Sequence, residues 1–360
     1  MTNSGATADK TLAYNCPNCG AELMFDAGKQ KLCCEFCESQ FTIEEIDQTD
    51  SMQSAQAQAK NAEDYCEKML EYSCPNCGAE VITDEETAAD ICIYCHSPIV
   101  LNGRLSGQMM PDKIIPFRFT KEEAQRKFSE FAKKKWFAPK AFKSLEQAEK
   151  ISGIYYPFWV TDADTDSTYN AKATRVRVWR MGNVQYTETS KFNVERAGFI
   201  HFEDIVTSAL STGEKQVLEG ILPYPSDSLV PFSMPYLSGF KAKKRDIERN
   251  ALTEEVKKRM NDYATTLLKN TVGGYSTVKT TSCMVRINKC HWEYSLMPIW
   301  ILTYRHEGRK KTKTYTYAMN GNTGKIYGEL PVSIPKIALL FACIATALTA
   351  VFSLIGGFLL

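Results

Sequence analysis

Eight of the thirteen cysteines fall into two quartets of the same spacing, Cys16-x2-Cys19-x14-Cys34-x2-Cys37 and Cys74-x2-Cys77-x14-Cys92-x2-Cys95. Both open on Cys-Pro-Asn-Cys-Gly-Ala-Glu, and the second repeats the first at a shift of 58 residues. A CxxC turn aims two sulfurs at one point, and a hairpin that returns a second CxxC completes a tetrahedral four-thiolate shell, as in a zinc ribbon. Gly20 and Gly78 permit the φ > 0 turn after each first pair. The spacing predicts two Zn2+ ions, both structural, because four sulfurs close the shell and leave no position for a reactive water. Such a small module has little core, so metal is expected to supply most of its folding free energy. Cys33 corresponds to Ile91 in the second copy, which makes Cys34 the ligand and Cys33 a spare; His96 beside Cys95 is a bystander. A secreted disulfide framework is the alternative, but Met1 to Lys10 is polar, with no apolar stretch of a secretory signal.

At the other end, residues 337–360 run without a charge and are rich in Leu, Ile, Ala and Phe. At 1.5 Å per residue, such a helix spans about 36 Å, enough for the roughly 30 Å hydrocarbon core of a bilayer. This predicts a single transmembrane tail anchor. The cations before it, Arg309, Lys310, Lys311, Lys313, Lys325 and Lys336, predict a body on the cytoplasmic side of the cell membrane.

Charge is divided sharply. Residues 1–101 carry 18 acids against 5 bases, whereas residues 102–360 carry 24 acids against 38 bases. Nucleic-acid binding by the ribbons would require cations there to neutralise phosphate, and the acidic N-terminal region would be repelled. The basic remainder suits anionic lipid headgroups. Lys241, Lys243, Lys244 and Arg245, together with Arg309, Lys310 and Lys311, are the candidate contacts to a membrane surface or to nucleic acid. Lys133-Lys134-Lys135-Trp136-Phe137 reads as a solvated helix end with a buried aromatic, base stacking being the alternative.

The expected fold class is α+β: two four-cysteine ribbons (13–45 and 73–101) after a disordered 1–12, a polar spacer (46–72), a helix-plus-antiparallel-sheet body (110–335) and the C-terminal span. Thr120-x-x-Glu123 is a capping box that opens a helix to about Lys135, with Ala124, Phe128 and Phe131 on one face. Ile154 to Val160, and the alternating Thr174 to Trp179 with its valines half-buried, read as strands; Gly182-Asn183 turns the chain into another at Val184 to Thr189. A helix from Asp246 to Lys269 carries the stripe Val256, Met260, Tyr263 and Leu267, and strands follow at 275–288, 292–304 and 312–319. Tyr156-Pro157-Phe158-Trp159 matches Met297-Pro298-Ile299-Trp300 at a shift of 141, which predicts two related halves, about 110–220 and 228–335. Asp162-x-Asp164-x-Asp166 lacks the Gly and Glu of a calcium loop and reads as a turn after a strand. No phosphate loop, GxSxG or HExxH occurs, so no enzyme is expected.

The paired ribbons, Ile154-x-x-Pro157-Phe158-Trp159, Arg196-x-Gly198-x-x-x-Phe202 and Leu229-x-x-Phe232-x-x-x-Tyr236-Leu237-Ser238-Gly239-Phe240 resemble the YdjG-like zinc-ribbon membrane proteins of Gram-positive bacteria, with their TFIIB-type double ribbon. That resemblance implies an adaptor that docks envelope-stress partners of the PspA and SPFH types. The expected function is therefore a non-enzymatic membrane scaffold whose ribbons recruit cytoplasmic proteins. The rival expectation is a membrane-tethered binder of DNA or RNA through the basic body.

Overall fold

The computed structural model describes residues 14, 16–21, 23–50, 69–73, 80–84, 100–104, 110–139, 141–144, 150–211, 215–307, 312–329, 331 and 333–358. The N-terminal unit consists of β1 (Leu23–Asp26), β2 (Lys31–Cys34), β3 (Gln40–Phe41) and helix α1 (Ile43–Asp50). A single curled, mainly antiparallel sheet of eleven strands forms the body. Its strands are β4 (Met69–Ser73), β5 (Glu80–Asp84), β6 (Val100–Arg104), β7 (Lys113–Ile114), β8 (Ser152–Met181), β9 (Val184–Ser208), β10 (Val230–Pro231), β11 (Lys241–Lys243), β12 (Thr277–Glu307), β13 (Thr312–Asn320) and β14 (Ile326–Gly328). Along the sheet the order is β10-β7-β12-β8-β11-β5-β4-β6; β9 also pairs β8, β13 pairs β12, and β14 pairs β13. The remaining α-helices among the described residues are α2 (Lys121–Lys133), α3 (Lys215–Gly220), α4 (Arg249–Asn270) and α5 (Ile334–Phe358).

Strands β8, β9 and β12 contain 30, 25 and 31 residues. At about 3.3 Å per residue, β8 extends about 100 Å. Its burial pattern changes along that length. From Ile154 to Val160 every residue is buried, because the sheet is covered on both faces. Tyr155 and Trp159 join the cluster that holds Phe117, Leu237 and Trp300; Ile154, Tyr156, Phe158 and Val160 pack against Leu218, Ile221 and Tyr224. Beyond Thr161 the pattern alternates. Ala163, Thr165, Ser167, Tyr169, Ala171 and Ala173 are buried, while Asp162 to Thr174 at even positions face outward. Helix α4 lies over this small-residue face through Val256, Met260, Ala264 and Leu268. From Arg175 to Met181, among the described residues, only β9 pairs with β8, and Val176, Val178 and Trp179 are exposed.

Two prolines mark changes of strand partner. Pro157 lies between Tyr155, which pairs β11, and Phe158, which pairs β9. Pro298 lies between Leu296, which pairs β7, and Ile299, which pairs β13. Proline has no amide hydrogen to give a ladder, so it suits a position where one partner ends and the next begins. The two motifs run antiparallel as immediate neighbours, with Met297 opposite Tyr156 and Pro298 opposite Tyr155.

Several local expectations hold. The capping box is present, the Glu123 amide donating to Thr120 Oγ1 at 3.4 Å and the Thr120 amide to Glu123 Oε2 at 3.1 Å. Others differ for identifiable reasons. The stripe on α4 is Leu252, Val256, Met260, Ala264 and Leu268, while Tyr263 and Leu267 are more than half exposed, because the helix buries small Ala264 where it approaches the sheet. The strands expected at 275–288 and 292–304 are one continuous strand, β12, Thr277–Glu307. Asp162, Asp164 and Asp166 lie within β8 and not on a turn: Asp162 Oδ1 accepts the Asp204 amide at 2.8 Å, and Asp166 Oδ2 accepts Asn288 Nδ2 at 2.8 Å. Val176 and Val178 are exposed because, among the described residues, no third strand or helix reaches the tip of the hairpin.

Candidate metal centre

Cys16, Cys19, Cys34 and Cys37 converge with all four sulfurs within 4.8 Å of one another. The first CxxC closes as a knuckle: the Cys16 amide donates to Ala21 O at 2.7 Å and the Gly20 amide to Cys16 O at 2.8 Å, with Gly20 at φ 75. The second copies it, the Cys34 amide donating to Ser39 O at 2.9 Å and the Glu38 amide to Cys34 O at 3.0 Å, with Glu38 at φ 59. Between them the β1–β2 hairpin pairs Leu23 with Cys34. Its turn is held by Asp26 Oδ1, which accepts the amides of Gly28 at 2.9 Å and Lys29 at 3.1 Å.

Cys16 and Cys37 sulfurs are 3.5 Å apart, as are those of Cys19 and Cys34. A disulfide would require about 2.05 Å. A tetrahedral zinc with about 2.3 Å bonds places its sulfurs about 3.8 Å apart, so the donor set and spacing fit a four-thiolate metal shell. Hydrogen bonds from Ser39 pull the Cys37 thiol down to about 6. Although the Ala21 amide acts to lower it, Cys19 is pushed up to about 12 by its neighbouring thiols, Cys37 foremost. Four sulfurs this close do not all ionise without a cation, and a bound metal supplies the compensating charge. Cys33 stays outside the group, its sulfur 4.0 Å from Asp26 Oδ2, in keeping with Cys34 as the ligand.

The unit is seated on the body. Leu23, Phe25, Leu32, Ile43 and Ile46 are buried in the same cluster as Phe117, Leu237 and Trp300. Ser238 Oγ donates to Leu23 O at 2.7 Å, Gln30 Nε2 to Phe117 O at 2.6 Å, and the Phe25 and Tyr236 rings meet edge-on at 5.3 Å. A module short of core was the expectation; this one borrows the core of the body. Ser39, which also accepts Asn18 Nδ2 at 2.9 Å, and the docking residues Gln30 and Ser238 carry no signal in the cysteine spacing.

Cys74, Cys77, Cys92 and Cys95, and the basic Arg309, Lys310 and Lys311, lie outside the described residues. The cations at 241–245 are engaged within the body. Lys243 is 4% exposed with Nζ 5.0 Å from the Tyr156 ring centre. Lys244 pairs with Glu71 at 2.9 Å, and Arg245 lies over Trp159 and Tyr294 at 5.0 and 4.8 Å. Lys241 pairs in β11 beside Ile154. The run at 133–137 ends differently from its expectation, for Trp136 is 78% exposed and Phe137 39%.

Helix α5 contains an apolar window, Pro335–Ser353, of mean hydropathy 2.0, none of it buried. It is long and apolar enough to cross a membrane. Fold and site together define an α+β protein with a four-cysteine cluster that could hold a metal ion, docked on a curled antiparallel sheet, and, among the described residues, one helix long and apolar enough to cross a membrane. The chain is 31% identical over 350 residues, 96% of its own length and 99% of the relative's, to YdjG of Bacillus subtilis (strain 168), a protein described as uncharacterized. It belongs to the YdjG family. No family model matches it, and no solved structure does.

Proposed function

We propose that the protein is a non-enzymatic membrane-anchored adaptor that holds two structural zinc ions and recruits partner proteins through its ribbons, α5 being its anchor and the body facing the cytoplasm. The carrying observation is the sulfur cluster fastened to the body in a chain that also bears an uncovered membrane-length helix. A closed four-sulfur shell offers no catalytic position, and it stiffens a surface whose Glu35, Glu38, Glu44 and Glu45 are exposed. A basic partner surface complements that charge. The family resemblance suggests envelope-stress proteins as the partners.

A second zinc ribbon draws support from strands next to the second quartet. Leu23 donates its amide to Tyr14 O at 2.8 Å across the first knuckle, and Tyr72 pairs with Val81 at the same offsets across the second. The matched roles of Pro157 and Pro298 support two related halves within the body. The nucleic-acid reading is weakened because Lys243, Lys244 and Arg245 are engaged internally.

The test is cross-linking of the full-length protein in membranes, with captured proteins identified for wild type, Cys16→Ser/Cys19→Ser and Cys74→Ser/Cys77→Ser. A defined set of membrane-associated proteins that disappears in either variant supports the adaptor. Dominance of nucleic acid, unchanged in both variants, overturns it.

A further inference from the structure

Where α5 leaves the body, residues 136–138 are strapped to its first turn. Lys336 Nζ donates to Trp136 O at 3.0 Å and Ala138 O at 2.7 Å, and the Ser333 amide donates to Phe137 O at 2.8 Å. Beside this strap is a cavity of about 660 Å³ lined by Lys134, Lys135, Phe137, Pro331, Ile337 and Leu340, with Trp136 also on its wall. The Trp136 and Phe137 rings stack at 6.4 Å and 20°, and the outer one is left uncovered. Lys133 and Lys134 are exposed at the C-terminal end of α2.

Its depth is decided by α5. The apolar window begins at Pro335, so Ile337 sits at the edge of the hydrocarbon and Leu340 about one turn, roughly 5 Å, further in. The cavity thus runs from headgroup level into the upper acyl region. Lysines line its polar end and aliphatic side chains its deep end. Tryptophan and lysine are the side chains favoured at that boundary, the ring for its amphipathic edge and the ammonium for reach to phosphate. In water the same surface would leave a large aromatic patch uncovered beside an uncovered helix.

We propose that this cleft is a binding site for an anionic phospholipid of the leaflet that α5 enters. Lys134 and Lys135 on the cavity wall hold the phosphate, with Lys133 exposed beside them adding to the positive field, while Trp136, Phe137, Ile337 and Leu340 receive the glycerol and upper acyl chains. The site is separate from the metal centre and rests on the reading of α5 as a membrane span.

The probe is tryptophan quenching in nanodiscs loaded with the full-length protein. Discs contain equal parts phosphatidylglycerol and phosphatidylcholine, with bromine atoms on the upper acyl chain of one lipid or the other. Brominated phosphatidylglycerol should quench wild type more than brominated phosphatidylcholine does. Trp136→Phe should remove most of the lipid-dependent quenching and about a fifth of the total emission, since it is one of 5 tryptophans. Replacing Lys133, Lys134 and Lys135 by Gln should make the two lipids equal quenchers while Trp136 stays quenched. Protein that does not co-elute with discs overturns the membrane span and this site with it. Co-elution with quenching unchanged in Trp136→Phe, or equal for both lipids in wild type, overturns the lipid site alone.

Discussion

The docking of the ribbon on the body makes a quantitative statement about metal affinity. If zinc binding and ribbon folding are one transition, every contact formed in that transition adds to apparent zinc affinity. Leu23 is fully buried where ribbon and body cores merge. Truncating such a leucine costs about 3 kcal/mol, within the usual 2–5 kcal/mol for Leu→Ala, and at about 1.4 kcal/mol per decade this weakens zinc binding about a hundredfold. Ser238→Ala leaves the ribbon's own sequence intact and removes the 2.7 Å bond to Leu23 O. Its expected cost is about 1 kcal/mol, or about fivefold in affinity. The assay is competition between the detergent-solubilised full chain and a chromogenic chelator. It is repeated in a Cys74→Ser/Cys77→Ser background, so that only the first quartet reports. If Leu23→Ala and Ser238→Ala both bind zinc within about twofold of wild type, the body contributes nothing to the ribbon and the shared-core argument fails.

Three further outcomes are expected. His201 Nδ1 lies 2.6 Å from Asp164 Oδ1, and that hydrogen bond raises the imidazole above its ordinary value. A raised folded-state value means the stabilisation is complete below the unfolded pKa and is lost as pH rises through the folded one. His201→Gln should therefore lower the melting temperature at pH 5.5 and leave it unchanged at pH 8.5; equal shifts at both would refute the pairing. Thr120→Ala removes the N-cap of α2 and should cost about 1 kcal/mol in urea unfolding, with no loss of bound zinc by elemental analysis. Arg245→Ala removes a cation from over the Trp159 and Tyr294 rings and should cost up to about 2 kcal/mol. DNA retention measured by filter binding should stay as in wild type, and a loss of salt-sensitive DNA binding would return that arginine to the surface role suggested by its sequence.

The sequence by itself determined what depends on neighbours along the chain. Cys16, Cys19, Cys34 and Cys37 form one cluster because CxxC turns and a short hairpin are local geometry. The Thr120–Glu123 cap and the membrane-length α5 follow from spacing of three residues and from an uninterrupted apolar run. Tertiary structure decided what depends on partners far away in sequence. The strands expected at 275–288 and 292–304 become the single strand β12 because β8 pairs with it across more than 100 residues of chain. Asp164 and Asp166 stay extended because β9 and β12 pair with them on both sides, and Asp162 because β12 pairs with it while its carboxylate accepts the Asp204 amide of β9. Lys243 and Arg245 read as surface charge until Tyr156, Trp159 and Tyr294 are folded against them. Leu23 and Phe25 are plainly apolar in the sequence, yet nothing there says that the surface they fill belongs to Phe117, Tyr236 and Leu237. Turns, caps and knuckles draw their free energy from contacts within a few residues, whereas a shared core and the ends of a long strand exist only once distant segments have met.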